Sequence, residues 1–540
     1  MKKTTQILLF LMLLTLGFYA GLHFSRRGPA TIINISNPGE NKLGQVLGII
    51  NAQYVDSIDI DSIIEKSIPK VIEELDPHST YIPVDEVEAM TSDLQSSFSG
   101  IGIRFTIQED TVNISEVIRG GPSEDAGVLA GDKIITVNDS LFVGKENCDN
   151  EKAMKKLKGP KGSFVTLSLL RYGEDELVKV KIRRDDILVE SIEAAYLIDN
   201  RWGYVQIQRF AENTYMEFIQ ALLQIAQSNP QGLIIDLRGN GGGYMAVALE
   251  MANQFLEKDD VIVYTEGANA PTAIEKANGY GLFKDIPLVI LVDETSASAS
   301  EILAGTVQDN DRGTIIGRRT FGKGLVQQQI PLYDGSLMRL TIARYHTPSG
   351  RCIQKPYTNG DAESYAQDLL DRFNRGEFFS QDSIHQNEEL VYTTKGGRTV
   401  FGGGGIMPDI FVSSDTTEIT RYTQELAAKG LIAQFALKYS TANRHNLSHH
   451  KRYGTLVADL KGRGLFERFV AFAKERGIEA DEEQTNASRQ LLERSLYSNI
   501  TYQILGMQEH IKYINLDDPT VLKAVEVLEN GKAFPEVNIQ

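Results

Sequence analysis

Gly232-Leu233-Ile234-Ile235-Asp236-Leu237-Arg238-Gly239-Asn240-Gly241-Gly242-Gly243 decides the architecture. A short apolar run closed by turn residues reads as a strand, and the glycines lead into a helical pattern at Met245–Leu256. The same texture extends to both sides. Trp202–Ile207 predicts a strand and Thr214–Gln227 a helix. Ile286–Asp293 predicts a buried strand, Ser300–Val307 a helix, and Thr314–Gly317 and Met338–Tyr345 further strands. Strands alternating with helices from Ile187 to about Val412 predict an α/β core with helices layered on a sheet.

Upstream the pattern differs. Leu43–Leu75 carries apolar residues at helical intervals and predicts two helices, ended at Asp76-Pro77. Phe98–Ile107, Thr111–Val117, Lys133–Val137, Phe164–Arg171 and Leu177–Ile182 read as strands, with short helices near Pro122–Ala126 and Glu151–Leu157. That is a small, partly open β-barrel domain. Downstream, Ile419–Tyr439, Leu456–Arg476, Ala487–Leu505 and Pro519–Leu528 read as helices. The expected divisions are 1–30, an apolar segment; 31–91, a tether and N-terminal helices; 92–185, the barrel; 186–415, the α/β core; and 416–540, a helical unit. The residues of that last unit do not reveal whether it dimerises, caps or serves as an adaptor surface.

Composition narrows the function. A chain of 540 residues, at roughly 150 per domain, predicts several folded units. With 42% hydrophobic and 24% charged residues, wholesale disorder and collagen-like repeats are excluded. The formal charge of −17 repels phosphate backbones, and no local basic patch offsets it, so nucleic acid is not expected as a partner. Cys148 and Cys352 cannot build a disulfide framework or a four-thiolate zinc site and are expected as free thiols. Lys2 and Lys3 precede an apolar run, Ile7–Phe24, whose helical length of ~27 Å just spans a bilayer core. A cleaved signal needs small residues before its cut. Phe18-Tyr19-Ala20-Gly21 places bulky aromatics there, which favours a membrane anchor. Either way the remainder is expected to be exported: anchored to the inner membrane of the cell envelope, with its working part in the periplasm.

Three features could carry chemistry. The glycine turn Gly239–Gly243 lets backbone N–H groups face an anion without Cβ obstruction, although a tight turn alone would also use glycines. It lacks both the dinucleotide fingerprint and the Gly-Lys-Ser/Thr of a P-loop. In Thr295-Ser296-Ala297-Ser298-Ala299-Ser300-Glu301 a serine at a strand-to-helix junction can project Oγ into a cleft, or merely cap the helix. In Thr320-Phe321-Gly322-Lys323-Gly324-Leu325 a lysine between glycines and apolar residues is either an ordinary surface lysine or a desolvated one with a lowered pKa, able to act as a base. No histidine is placed to serve as that base, and none forms a His-Glu-x-x-His pair, so a metallohydrolase is not expected.

Taken together these motifs resemble the C-terminal processing (tail-specific) serine peptidases, a serine–lysine family with a PDZ domain. The resemblance covers roughly residues 43–412. Leu75-Asp76-Pro77-His78-Ser79-Thr80-Tyr81 is similar to the stretch before the family's PDZ domain. Phe98-Ser99-Gly100-Ile101-Gly102-Ile103 resembles the PDZ carboxylate loop, and Gly121-Pro122-Ser123 with Gly131-Asp132-Lys133-Ile134-Ile135 matches its later signature. The fold implied is a crotonase/ClpP-like layered α/β core with an inserted PDZ domain, N-terminal helices and a helical C-terminal unit.

The resemblance implies Ser298 as nucleophile, Lys323 as base 25 residues later, and Gln327, one helical turn beyond, as the residue orienting that lysine. It places the oxyanion donors at Gly242 and Ala299, with Gly243 as the alternative for the first. Gly100, Ile101, Gly102 and Ile103 would bind a substrate's C-terminal carboxylate, with the tail added as a strand and nonpolar terminal residues favoured. No metal or organic cofactor is implied. The expected partners are proteins or peptides with free C-termini, the membrane through the N-terminal segment, and a further copy of the chain if the C-terminal helices associate. His346 departs from the family by standing where a second tyrosine is usual. A noncatalytic PDZ scaffold is the competing function; the joint presence of Ser298, Lys323 and Gln327 speaks against it. An acyl-CoA enzyme on a similar sheet is opposed by Lys323 and the PDZ module.

Overall fold

Among the residues the computed structural model describes (42–92, 94–95 and 97–534), the central sheet has six strands. In spatial order they are Ile192–Ile198, Trp202–Ile207, Gly232–Asp236, Leu288–Val292, Thr314–Gly317 and Ile410–Phe411. The first pair is antiparallel and the rest are parallel. Parallel neighbours need long crossovers. Here the helices Thr214–Ala226, Met245–Ala252 and Ala299–Asp309 provide them. The run Ile7–Phe24 lies outside the described residues. Among those described, no helix is long and apolar enough to cross a membrane. The chain falls into two compact units that divide at residue 70. In the first, Lys42–Gln53 is a helix that buries no residue. The helix Ile60–Glu73 starts there, and the second unit takes over within it.

One face of the central sheet packs on the crossover helices, joining Val205, Ile207, Leu233, Ile235, Leu288 and Ile290 to Phe218, Met251 and Leu303. The helix Ala299–Asp309 is buried along its whole length, although it carries Ser300, Glu301, Thr306, Gln308 and Asp309. Its polar residues are paired: Thr306 Oγ1 donates to Ile262 O at 2.8 Å, and Asp309 meets Arg351 at 2.7 Å. The other face is covered by the C-terminal helices. Ile511, Val521, Ala524 and Leu528 pack on Tyr204, Ile234, Val289 and Ile316. The helices Met507–Ile514 and Pro519–Glu529 therefore complete the core's second layer.

The barrel domain has the expected strands with one correction. Phe98–Ile107 is two strands, Ser97–Gly100 and Ile103–Gln108, because the chain turns at Ile101-Gly102. Ile103–Gln108 is an edge of its sheet. The barrel's core contains Val112, Ile114, Ile134, Val165, Leu167 and Leu169. In the C-terminal region the long predicted helices break. Ile419–Tyr439 becomes Arg421–Ala428 and the start of Leu431–Leu447, and Leu456–Arg476 becomes Tyr453–Lys461 and Leu465–Glu475. Gly430 and Gly464 sit at these breaks with φ of 61° and 58°, left-handed values that end a helix. A second sheet is built around the predicted strand Met338–Tyr345, and its other strands escape the periodicity reading. It joins Thr80–Ile82, Val261–Gly267, Ala270–Lys276 and Leu325–Pro331 to the long strand Leu337–His346. Cys148 and Cys352 are free thiols.

Candidate active site

Two chemical turns leave the central sheet at adjacent strand ends. Gly232–Asp236 runs into the glycine turn, and its parallel neighbour Leu288–Val292 runs into the serine turn. Open α/β sheets bind ligands outside these C-terminal strand ends. A cleft of about 920 Å3 lies there, lined by Gly242, Gly243, Ser298, Lys323, Gln327 and Arg339 among others.

The turns are stitched together by the serines that flank Ser298. Ser296 Oγ donates to Leu237 O at 2.8 Å, and Ser300 Oγ donates to Asn240 O at 2.9 Å. Both serines are fully buried, so their hydroxyls serve the scaffold. Ser298 is the one of the three that lines the cleft. Its φ is +56°, a left-handed value that costs a residue with a Cβ about 1–2 kcal/mol. It caps the helix Ala299–Asp309, so the Ala299 N–H lies in the first turn, at the positive end of the helix dipole. Gly242, at φ +100°, packs its main chain against the same place. A Cβ there would lie 2.8 Å from Ser298 Cβ and 3.0 Å from Ala299 N. The Gly242 N–H donates to Asn240 Oδ1 at 2.8 Å.

Lys323 Nζ donates to Gln327 Oε1 at 3.0 Å, and Gln327 Nε2 donates to His78 O at 2.5 Å. Among the described residues no hydrogen bond joins the Ser298 and Lys323 side chains; such bonds often tighten only around a substrate. Burial lowers the Lys323 pKa, and the Arg339 charge lowers it further, while Glu301 and Asp76 oppose both. Gln327 does not stand one helical turn beyond Lys323. It lies on the strand Leu325–Pro331, which carries a bulge at Val326–Gln327. A regular strand sets residues four apart by roughly 13 Å. The contact therefore depends on the bulge, which re-aims the strand, and on two long side chains.

Sequence reasoning missed Glu301 and Tyr345. Glu301 is wholly buried and accepts from Thr320 Oγ1 at 2.6 Å, Gly322 N at 2.7 Å, Ser298 N at 2.8 Å and Lys323 N at 2.9 Å. Burial pushes its carboxyl up to about 7 against the pull of these donors. Its signal was legible, because Ser298-x-x-Glu301 has capping-box spacing. Tyr345 Oη reaches Lys323 O at 2.7 Å and Ser298 O at 3.1 Å, and no local pattern announces it.

The residues of the predicted carboxylate loop lie elsewhere. Gly100 ends one barrel strand, Ile101 and Gly102 form the turn, and Ile103 opens the edge strand; none of the four lines the cleft. The turn's carbonyls are engaged: Ile101 O accepts from Ser123 N, and Gly102 O from Ile118 N, both at 3.0 Å.

The peptidase family S41 pattern matches residues 201–364, a PDZ domain pattern matches 99–182, and a family of unknown function, DUF8443, matches 422–506. A carboxy-terminal-processing protease of Bartonella bacilliformis is 35% identical over 318 residues, 58% of this chain and 72% of that protein. The carboxy-terminal processing protease CtpA of Bacillus subtilis is 32% identical over 377 residues, 68% of this chain and 79% of that protein. Among solved structures, the photosystem II D1 C-terminal processing protease aligns with 69% of this chain and 92% of its own, at 24% identity and a TM-score of 0.36. Two long relatives that each exceed 30% identity, with S41 and PDZ patterns in the expected order, settle the family. The chain belongs to the carboxy-terminal-processing proteases of peptidase family S41, serine peptidases that carry a PDZ domain.

Proposed function

We propose that this protein is an endopeptidase that selects substrates by their C-termini and cleaves them with Ser298 as nucleophile and Lys323 as base. The observation that carries this reading is that Glu301 and Tyr345 hold the peptide units of Ser298 and Lys323 together beside one cleft. Neutral Lys323, oriented by Gln327, takes the Ser298 Oγ proton as Oγ bonds to the peptide carbonyl carbon. The Ala299 N–H and the glycine turn hold the resulting oxyanion. Gly242 fills that role when its N–H leaves Asn240 Oδ1, and Gly243 is the neighbouring donor. The C–N bond then breaks, the amine leaves with the proton from Lys323, and water activated by the same amine hydrolyses the ester. Each oxyanion donor is worth about 10²–10³ in rate.

The PDZ domain supplies selection in this reading. Amides at Gly100, Ile101, Gly102 and Ile103 receive a terminal carboxylate, and the substrate tail adds beside the edge strand Ile103–Gln108. The apolar run Ile7–Phe24 supports an anchor in the inner membrane, with the peptidase on its periplasmic side; Lys2 and Lys3 before the run are balanced by Arg26 and Arg27 after it, so that side does not rest on flanking charge.

The test is degradation of an unfolded protein with a free C-terminus by wild type and Ser298→Ala. The variant should lose turnover by at least about three orders of magnitude and keep substrate binding. Turnover at the wild-type rate would refute the nucleophile. An amidated C-terminus should raise KM; unchanged kinetics would remove carboxylate reading.

A further inference from the structure

The segment Asp76-Pro77-His78-Ser79 precedes the PDZ domain by about twenty residues, yet it folds against the lysine's support. Its centre is the Asp76 carboxylate, which is buried. Oδ1 accepts from His78 N at 2.8 Å, from Ser79 N at 2.9 Å and from Thr341 Oγ1 at 3.1 Å, and Oδ2 accepts from Ser79 Oγ at 2.6 Å. Ser79 Oγ in turn accepts from Thr341 N at 3.0 Å. Thr341 is the strand partner of Gln327. The turn is therefore knotted to the very strand pair that carries Gln327. Burial raises the Asp76 pKa but its hydrogen bonds outweigh this, so the knot is ionised at neutral pH.

The knot leaves the His78 carbonyl pointing at Gln327. A carbonyl can only accept, so the amide must turn its NH2 towards His78 and its oxygen away. That oxygen is what Lys323 Nζ meets at 3.0 Å. Were the amide reversed, its oxygen would face the His78 oxygen, and its NH2 would either oppose the ammonium or tie up the lone pair of the neutral amine. An amine that gives one N–H to Gln327 Oε1 keeps its lone pair free, in one of its two remaining tetrahedral positions. The His78 ring is occupied elsewhere, with Nε2 2.8 Å from Tyr365 Oη. The contribution to Gln327 comes from the main chain.

We propose that the Asp76–Ser79 turn is a positioning element for the base: by fixing the His78 carbonyl it dictates which end of the Gln327 amide faces Lys323. This deepens the serine–lysine reading and rests on it. Asp76 touches no reacting atom: its positioning effect passes through Gln327, while its charge separately favours the protonated form of Lys323.

A double-mutant cycle tests this on the full chain, with fluorescently labelled casein as the unfolded probe. Asp76→Asn weakens the knot, and Gln327→Ala removes the amide that the knot orients. Asp76→Asn should lower kcat about tenfold and change KM by less than about twofold. In the Gln327→Ala background the same change should cost less than about twofold, because the group it acts through is gone. An unchanged kcat in Asp76→Asn overturns the proposal, and so does a full tenfold cost in both backgrounds, which would mark a merely structural residue. If Asp76→Asn loses its native circular dichroism, Thr341→Val removes one bond of the knot and goes through the same cycle with the same criteria. Ser298→Ala is run alongside. If it retains turnover, the serine–lysine reading itself fails. If it is inactive while Asp76→Asn is unaffected, only the positioning role fails.

Discussion

Ser298 and Lys323 are held together through both ends of their peptide units. Glu301 Oε2 accepts from both N–H groups, at 2.8 and 2.9 Å, and Tyr345 Oη reaches both carbonyl oxygens, at 3.1 and 2.7 Å. Two residues 25 positions apart thus share one carboxylate and one hydroxyl. The spacing of their side chains follows from main-chain bonds made in the interior.

Glu301→Gln tests this clamp. Four donors converge on the carboxylate, and a glutamine offers one oxygen plus an NH2 that cannot accept. Leaving buried N–H groups unpaired should cost about 2–3 kcal/mol, read by chemical denaturation. Activity should fall further than stability explains. Tyr345→Phe keeps the ring and removes only the Oη bonds, so it should lower kcat by about tenfold with a smaller loss of stability. Wild-type kcat in both variants would show that the clamp is not needed.

Arg339→Gln addresses the base. Burial is the larger cause of the lowered Lys323 pKa and the Arg339 charge is the next, so removing that charge lets the pKa rise. A higher pKa leaves less neutral amine at a given pH below it. The acidic limb of kcat/KM against pH should therefore move to higher pH, and activity should fall most at low pH. A limb that stays in place or moves down would exclude Lys323 as the titrating base.

Gly242→Ala and Gly241→Ala form a matched pair. At Gly242 a Cβ would meet Ala297 O at 2.7 Å and Ser298 Cβ at 2.8 Å, at a φ of +100°, whereas a Cβ at Gly241 meets nothing within 4 Å. Gly242→Ala should lower kcat by about 10²–10³ and stability by about 1–3 kcal/mol. Gly241→Ala should stay within about 0.5 kcal/mol of wild type. Thermal denaturation with casein turnover separates the two.

Arg351→Ala probes the frame behind the site. Arg351 and Asp309 are both fully buried, 2.7 Å apart, and Asp309 also accepts from Ser349 Oγ at 2.7 Å. Removing one partner strands the other's charge in the interior and should cost about 3–5 kcal/mol. A loss below about 1 kcal/mol in denaturant titration would mean that Asp309 finds other compensation.

Legibility tracked how local each signal was. Gly232–Asp236 and Leu288–Val292 were visible as strands because continuous apolar runs with turn residues leave little choice. Leu325–Pro331 was not, since Leu-Val-Gln-Gln-Gln-Ile-Pro alternates weakly and the strand is half exposed. Ala270–Lys276 is almost wholly exposed and carries no apolar pattern to find. Ser298, Lys323, Gln327, Gly242 and Gly243 line one cleft, with Ala299 next to Ser298 in the chain but not among the lining residues; the placement of Gln327 on a helical turn failed for the same reason its strand was missed.

From the order of residues alone came the chemistry on offer and the local conformations allowed: glycines where a side chain would collide, a serine at a strand-to-helix junction, a lysine between glycines. Those depend on neighbours within a few positions. Only the folded chain decided that Gln327 meets a carbonyl 249 positions earlier, that Tyr345 bridges Ser298 to Lys323, and that the last helices roof the second face of the central sheet. Each of these is a pairing between distant segments. Such pairings are chosen by which surfaces can exclude water together and which buried donors find acceptors, and neither choice is written in any short stretch of sequence.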